Sequence, residues 1–109
     1  MKVTLTASER LNLSAVIPAQ VGSIDEMIAA AGLRKQVALI PGEQEEIEYV
    51  VSDNGAPMWD NKKAESLVTD FTFTDEQVSV VKKGFELLAA EGRLPTSEFV
   101  LNLYQKFND

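Results

Sequence analysis

The sequence contains no cysteine and no histidine among its 109 residues. Without cysteine, the chain forms neither disulfides nor thiolate metal sites. Without histidine, it lacks the usual general base, the usual proton shuttle and the commonest transition-metal ligand. We therefore predict a non-enzymatic protein with no catalytic residue, no metal and no cofactor.

Basic residues are also scarce. Ten Lys and Arg stand against 17 Asp and Glu, giving a formal net charge of −7. Surfaces that bind nucleic acid or anionic membranes usually carry a basic patch. Residues 1–18 include charged side chains and lack the long apolar run of a signal peptide or membrane span. We therefore expect no direct nucleic acid binding, no membrane association and a cytoplasmic location.

The length and the 45% content of apolar residues suit one globular domain over residues 1–109. Three capping-box patterns, Thr6–Glu9, Ser23–Glu26 and Thr74–Gln77, predict helices that begin near residues 7, 24 and 75. Pro18 ends the first helix, and Gly92 is the expected residue after the third.

The second helix is predicted to continue to about residue 38. Ile24, Ile28 and Ala31 recur at helical spacing with Met27 beside them, and Leu33 and Val37 suggest the continuation. Gly32 costs about 1 kcal/mol relative to alanine inside a helix. A break at Gly32 is therefore the alternative.

The middle of the chain predicts a short helix followed by a hairpin. Pro41 suits a first helical position, with the helix over roughly 42–47. Strand-like residues flank the turn signal Asp53-Asn54-Gly55, which predicts a hairpin near 48–60. We expect a polar connection over 61–66, a third strand over 67–73 and a last helix after Pro95.

These elements predict an α+β fold: four or five helices with a two- or three-stranded antiparallel sheet. The order helix, helix, short helix, hairpin loosely resembles a winged helix. In a DNA-binding winged helix the third helix enters the major groove. Here that helix is GEQEEIE, whose carboxylates would be repelled by phosphates, so DNA reading is disfavoured.

Negative charge is concentrated in one segment. Residues 41–61 contain six carboxylates and no Lys or Arg. A divalent cation site or an acid/base pair is conceivable, but solvated carboxylates at a helix start are the favoured interpretation. We predict that this segment binds a partner protein with a basic face. The candidate residues are Glu43, Glu45, Glu46, Glu48, Tyr49, Asp53 and Trp59.

The last helix is rich in large apolar residues. Phe99, Leu103, Tyr104 and Phe107 are predicted to pack in the core, and a self-association seam between copies is the alternative. That alternative allows a homo-oligomer through the C-terminal helix.

Several short motifs resemble a family of small tailed-bacteriophage proteins. They are the opening MKVTLTASERLNLSAVIP, the central Leu33-Arg34, the segment MWDNKKAE and the close GRLPTSEFVLNLYQKF. The resemblance implies a phage or prophage origin. It carries no assigned activity, so it supplies no functional residue.

Three functions remain as expectations. The first is a small acidic interaction module that binds its partner through residues 41–60. The second is an anti-defence protein that mimics DNA and inhibits a nucleic acid enzyme. The third is a virion assembly or structural component.

Overall fold

The chain begins with a strand that we did not predict. Strand β1 (Lys2–Thr6) pairs antiparallel with β4 (Val68–Thr72), so that Val3 lies opposite Phe71. Val3 and Leu5 alternate with lysine and threonine, which is the period-two pattern of a half-buried strand. Leu5 is fully buried, whereas Lys2 and Thr4 are exposed. The computed structural model describes residues 1–108.

The fold is α+β, as predicted. Over residues 1–108 the chain forms six helices and two separate two-stranded antiparallel sheets. The helices are α1 (Ala7–Val16), α2 (Ile24–Val37), α3 (Pro41–Glu46), α4 (Asn61–Ser66), α5 (Asp75–Ala90) and α6 (Glu98–Asn108). The second sheet is the hairpin β2 (Val50–Val51) and β3 (Pro57–Met58).

Helix α4 corrects the predicted polar connection over 61–66. The Asp60 side chain accepts a hydrogen bond from the Lys63 backbone N–H at 2.9 Å and caps this helix. Ala64 then becomes fully buried. One turn with a single buried residue carries too little apolar periodicity to be recognised as a helix. This extra helix raises the count from the predicted four or five to six.

The predicted capping boxes of α1 and α5 are both present, with hydrogen bonds in both directions at Thr6–Glu9 and Thr74–Gln77. At α2, Ser23 Oγ accepts from the Glu26 backbone N–H at 3.1 Å. These caps explain why the observed helix starts agree with the sequence.

The main core lies between the β1–β4 sheet and helices α1, α2, α5 and α6. Phe73 stacks on Phe107 with ring centroids 5.8 Å apart, joining the end of β4 to the C-terminal helix. Large side chains that are at most 3% exposed fill this core: Leu5, Leu13, Leu33, Phe73, Phe85, Leu103 and Phe107. Burial of such residues is the main stabilising contribution to a domain of this size.

Helix α2 is continuous through Gly32, so the alternative of a break is wrong. Its buried residues are Ala29, Ala30, Leu33 and Val37. Leu33 and Val37, which predicted that the helix continues past Gly32, are thus buried, whereas the apolar residues that predicted its first half lie on the other side. Ile24, Met27 and Ile28 are all more than half exposed.

The resemblance to a winged helix is limited to the order of elements. The hairpin follows three helices as predicted, but β1 pairs with β4 and not with the hairpin. The hairpin is thus an isolated two-stranded sheet. Because the hairpin is separate from the β1–β4 sheet, the acidic segment is not held by strand pairing with that sheet.

Candidate functional site

The acidic segment is attached to the domain through Arg10. Arg10 is 3% exposed, and its Nη1 donates to Glu43 Oε2 at 2.7 Å while Nη2 donates to Oε1 at 3.0 Å. This two-point geometry is the strong form of a carboxylate–guanidinium pair. Glu43 is therefore engaged within the fold.

Arg10 also holds the end of α2. Its Nε donates to the Val37 carbonyl at 3.0 Å and its Nη2 to the Ala38 carbonyl at 2.8 Å. These carbonyls lie at the negative C-terminal end of the helix, where a cation is favourable. The guanidinium carbon also lies 5.5 Å from the centre of the Phe71 ring. One buried cation thus joins α1, α2, α3 and β4.

The pKa of Glu43 lies below its ordinary value of 4.5, chiefly because Arg10 donates hydrogen bonds to the carboxylate. Partial burial opposes this shift, and a hydrogen bond from the Ile40 backbone N–H adds to it. Since the ionised form is favoured, the pair persists at neutral pH.

Helix α3 ends in a Schellman motif with an unusual residue. The Tyr49 N–H donates to the Gln44 carbonyl at 2.8 Å, and the Glu48 N–H donates to the Glu45 carbonyl at 3.1 Å. Glu48 occupies the left-handed position with φ of 58°. Glycine is preferred there because a Cβ is unfavourable. The Glu48 carboxylate lies 3.4 Å from Lys63 Nζ, and both side chains are exposed.

The base of the hairpin is anchored in a second small core. Ile47 is fully buried together with Ala7 and Ala64. Its carbonyl accepts from the Asp60 N–H at 2.8 Å, which closes the segment at its base. Tyr49 and Trp59 pack against this cluster, with ring centroids 6.4 Å apart.

The two aromatic candidates therefore stack on each other and are only partly exposed. Trp59 Nε1 is buried and has no hydrogen-bond partner within residues 1–108. Burial of a hydrogen-bond donor without an acceptor destabilises a fold. The position of Trp59 is therefore maintained by packing and not by a hydrogen bond of its indole N–H. These two residues support the hairpin more than they form its outer surface.

The turn of the hairpin matches its sequence. The Gly55 N–H donates to the Ser52 carbonyl at 2.8 Å, and the Ser52 N–H donates to the Ala56 carbonyl at 2.9 Å. Gly55 has φ of 83°, as expected for glycine closing a three-residue connection. Asp53 lies exposed in this turn.

The apolar residues of the hairpin are exposed on both faces. Val50, Val51 and Met58 are 57%, 61% and 58% exposed. Successive residues of a strand point to opposite faces. Because neighbouring Val50 and Val51 are both exposed, neither face of the hairpin is covered by the domain.

The structure thus divides the seven predicted site residues. Glu45, Glu46 and Asp53 are exposed and form no ion pair within residues 1–108. Glu48 is exposed beside Lys63, Glu43 is paired with Arg10, and Tyr49 and Trp59 form the base. The sequence did not predict the exposure of Val50, Val51 and Met58, because strand-forming residues are ordinarily expected to pack.

The four apolar residues singled out on the C-terminal helix differ in exposure. Leu103 and Phe107 are buried in the main core and Phe99 is half-buried. Tyr104 is exposed on one side and contacts the Phe85 ring edge-on at 5.3 Å. A seam along this helix stays a prediction, with Tyr104 as its one exposed candidate among those four residues.

Over residues 1–108, no cluster of three or more carboxylates is placed to hold a metal ion. Glu9 is buried but already accepts from Lys106 Nζ at 2.6 Å. No helix in this range has the length and apolar character to cross a membrane.

Comparison with known protein families, curated proteins and solved structures finds no significant match to this chain.

Proposed function

We propose that the protein is a non-enzymatic interaction module that binds a partner protein through the hairpin of residues 50–58. The observation that carries this proposal is the two-sided exposure of Val50, Val51 and Met58. An isolated two-stranded hairpin is only marginally stable in water. A partner that covers its apolar faces would remove this surface from water and stabilise the complex.

The edges of the hairpin support the same proposal. Neither β2 nor β3 pairs with a further strand within residues 1–108. The free edge of β2 leaves backbone N–H and C=O groups available to an added strand, whereas Pro57 has no N–H and makes the edge of β3 less suitable. The partner we propose therefore supplies an extended segment or an apolar groove.

The surrounding carboxylates define the charge of that partner. Glu45, Glu46 and Asp53 are unpaired near the hairpin in sequence, and Glu48 has only an exposed contact with Lys63. We propose that these groups select a partner whose apolar site has a basic rim. Such pairs mainly affect association rate and specificity, and salt screens them.

The alternative of a DNA mimic has less support. Of the six carboxylates between residues 41 and 61, Glu43 is bound by Arg10 and Asp60 caps α4. Four remain for a mimic, and the apolar hairpin between them does not resemble a phosphate backbone. We propose a bacterial cytoplasm as the location of this partner, and the resemblance to phage proteins supports that part of the proposal.

Quantitative affinity purification from phage-infected cells tests the proposal. The same partner is expected with the wild type and with Ile40→Ser, which removes an equally exposed apolar side chain outside the hairpin. Recovery of that partner should fall about tenfold or more with Val51→Ser or Met58→Ser. Equal recovery with all four proteins would contradict a hairpin site.

Charge reversal tests the proposal that the partner's apolar site has a basic rim. Glu45→Lys should slow association with the captured partner, and the slowing should diminish as salt is raised. Glu86→Lys is the matched control, because Glu86 is an exposed helical carboxylate in α5. If both reversals act equally, only net charge matters and no specific basic rim exists.

A further inference from the structure

Helix α2 has a second apolar face that the domain leaves uncovered. Ile24, Met27, Ile28 and Ala31 are exposed and follow the spacing of a helix–helix contact. We call these four residues the α2 stripe. The buried face of the same helix consists of other residues, Ala29, Ala30, Leu33 and Val37. The apolar residues of the α2 stripe therefore do not contribute to the core of the domain.

The α2 stripe is also well ordered for binding. It lies on a 14-residue helix whose opposite face packs in the main core, so its side chains are presented on a rigid element. Ile24 and Ile28 are 72% and 63% exposed. Exposed apolar side chains grouped on one helix face form a candidate interaction surface.

The charges at its two ends identify the occupant. Asp25 lies at the N-terminal end of the α2 stripe and Lys35 at its C-terminal end. Neither forms an ion pair within the part of the chain that the structure describes. The other charged side chains of α2 are engaged within the domain, since Arg34 donates to the Pro18 carbonyl at 2.8 Å and Glu26 lies 3.0 Å from Lys83 Nζ.

We propose that the α2 stripe binds the α2 stripe of a second copy, with the two helices antiparallel. The helical repeat places Asp25 and Lys35 on the same flank of the helix. In a two-fold antiparallel pair, equal flanks of both helices adjoin. Each Asp25 therefore meets Lys35 of the second copy, whereas in a parallel two-fold pair the charged flanks lie on opposite sides of the contact and form no such pair.

The centre of this contact suits close packing. A crossing point between Ile28 and Ala31 places the small alanine of each copy against the isoleucine of the other. Large and small residues then interdigitate, as in packed helix pairs. The Lys35 methylene groups can cover Ile24 of the second copy while the ammonium reaches Asp25.

The size of the stripe predicts a weak dimer. An isolated helix pair buries less than the roughly 800 Å² per partner of a stable complex. Dissociation constants on the order of 10 µM to 1 mM are expected from a contact this small. The dimer and the proposed hairpin site use different surfaces, so either can exist without the other.

Sedimentation equilibrium over about 10 µM to 1 mM tests the proposal with the wild-type chain. A monomer–dimer equilibrium is expected. Ile28→Glu should raise the dissociation constant about tenfold or more, while Ile40→Glu should leave it unchanged. Both isoleucines are 63% exposed. Comparison of the two variants therefore distinguishes a specific contact at the α2 stripe from nonspecific hydrophobic association. Thermal unfolding monitored by circular dichroism verifies that both variants fold.

Charge exchange tests the antiparallel orientation. Asp25→Lys and Lys35→Asp should each weaken self-association, because each brings like charges together. An equimolar mixture of the two variants should associate more tightly than either alone, since all its cross pairs are attractive. A wild type that stays monomeric, an unaffected Ile28→Glu, or a mixture no tighter than its components would overturn the proposal.

Discussion

Arg10 and Glu43 are 33 residues apart in the chain and form a two-point ion pair. The pair fixes the start of the acidic segment to helix α1, while the hairpin that follows it projects from the domain. Arg10 is almost fully buried, whereas Glu43 remains partly accessible. The first carboxylate of the segment therefore has a structural role, whereas Glu45, Glu46 and Asp53 are exposed and form no ion pair within residues 1–108.

Replacement of Glu43 by glutamine should destabilise the protein by about 1–3 kcal/mol at pH 7, because Arg10 loses its anionic partner. Since folding lowers the pKa of Glu43 below 4.5, its stabilising contribution is complete above that value. It is lost as the pH falls through the lowered pKa. Urea unfolding of both proteins at pH 7 and at progressively lower pH checks this, and the difference should decrease as the pH falls below 4.5.

Glu48→Gln provides the control for that substitution. Its pair with Lys63 is longer, at 3.4 Å, and both partners are more than half exposed. Such a surface pair contributes at most about 0.5 kcal/mol. If Glu48→Gln costs as much as Glu43→Gln, burial of Arg10 is not the reason for the larger effect.

Arg10→Lys should also destabilise the fold, by about 2 kcal/mol. Lysine keeps the charge but cannot bind Glu43 at two points while also donating to the carbonyls of Val37 and Ala38. Arg34→Lys is the matched control, because exposed Arg34 donates to carbonyl groups alone. Comparable midpoints in urea for both variants would contradict a special role for the guanidinium of Arg10.

Glu48→Gly should stabilise the protein by about 0.5–1 kcal/mol. Glu48 has φ of 58° at the end of α3, a conformation that is costly for a residue with a Cβ. Helix α5 ends in the same hydrogen-bond pattern with Gly92, whose φ is 68°. Glu45→Gly, inside α3, should instead destabilise by up to about 1 kcal/mol. Thermal unfolding of the two variants should shift in opposite directions, and a shared direction would count against strain at Glu48.

Local signals in the sequence predicted most of the secondary structure. Thr6 and Thr74 marked helix starts because capping depends on residues three apart. The Asn54-Gly55 pair located the turn for the same local reason. Strand β1 was missed because its partner lies 66 residues away at Asp70. Strand pairing over such a sequence separation cannot be predicted from a local sequence pattern.

Burial was harder to predict than secondary structure. The apolar spacing of Ile24 and Ile28 indicates a helix, but helix α2 is apolar on two sides, and periodicity alone does not say which side faces the core. For the same reason, periodicity did not predict that Val50 and Val51 are exposed. At the acidic segment, the concentration of carboxylates is visible in the sequence, while the engagement of Glu43 by Arg10 depends on tertiary structure.

The contact between α1 and α5 supplies the last prediction. A Cβ at Gly84 would lie 2.2 Å from the Val16 carbonyl oxygen, so Gly84→Ala forces the two helices apart. We expect destabilisation of at least about 1–3 kcal/mol. Gly42→Ala is the control, because nothing lies within 4 Å of its Cβ position, and alanine in helix α3 should stabilise by about 0.5–1 kcal/mol. Urea unfolding followed by Trp59 fluorescence measures both changes. A Gly84→Ala variant as stable as the wild type would mean that α1 and α5 do not pack as closely as described.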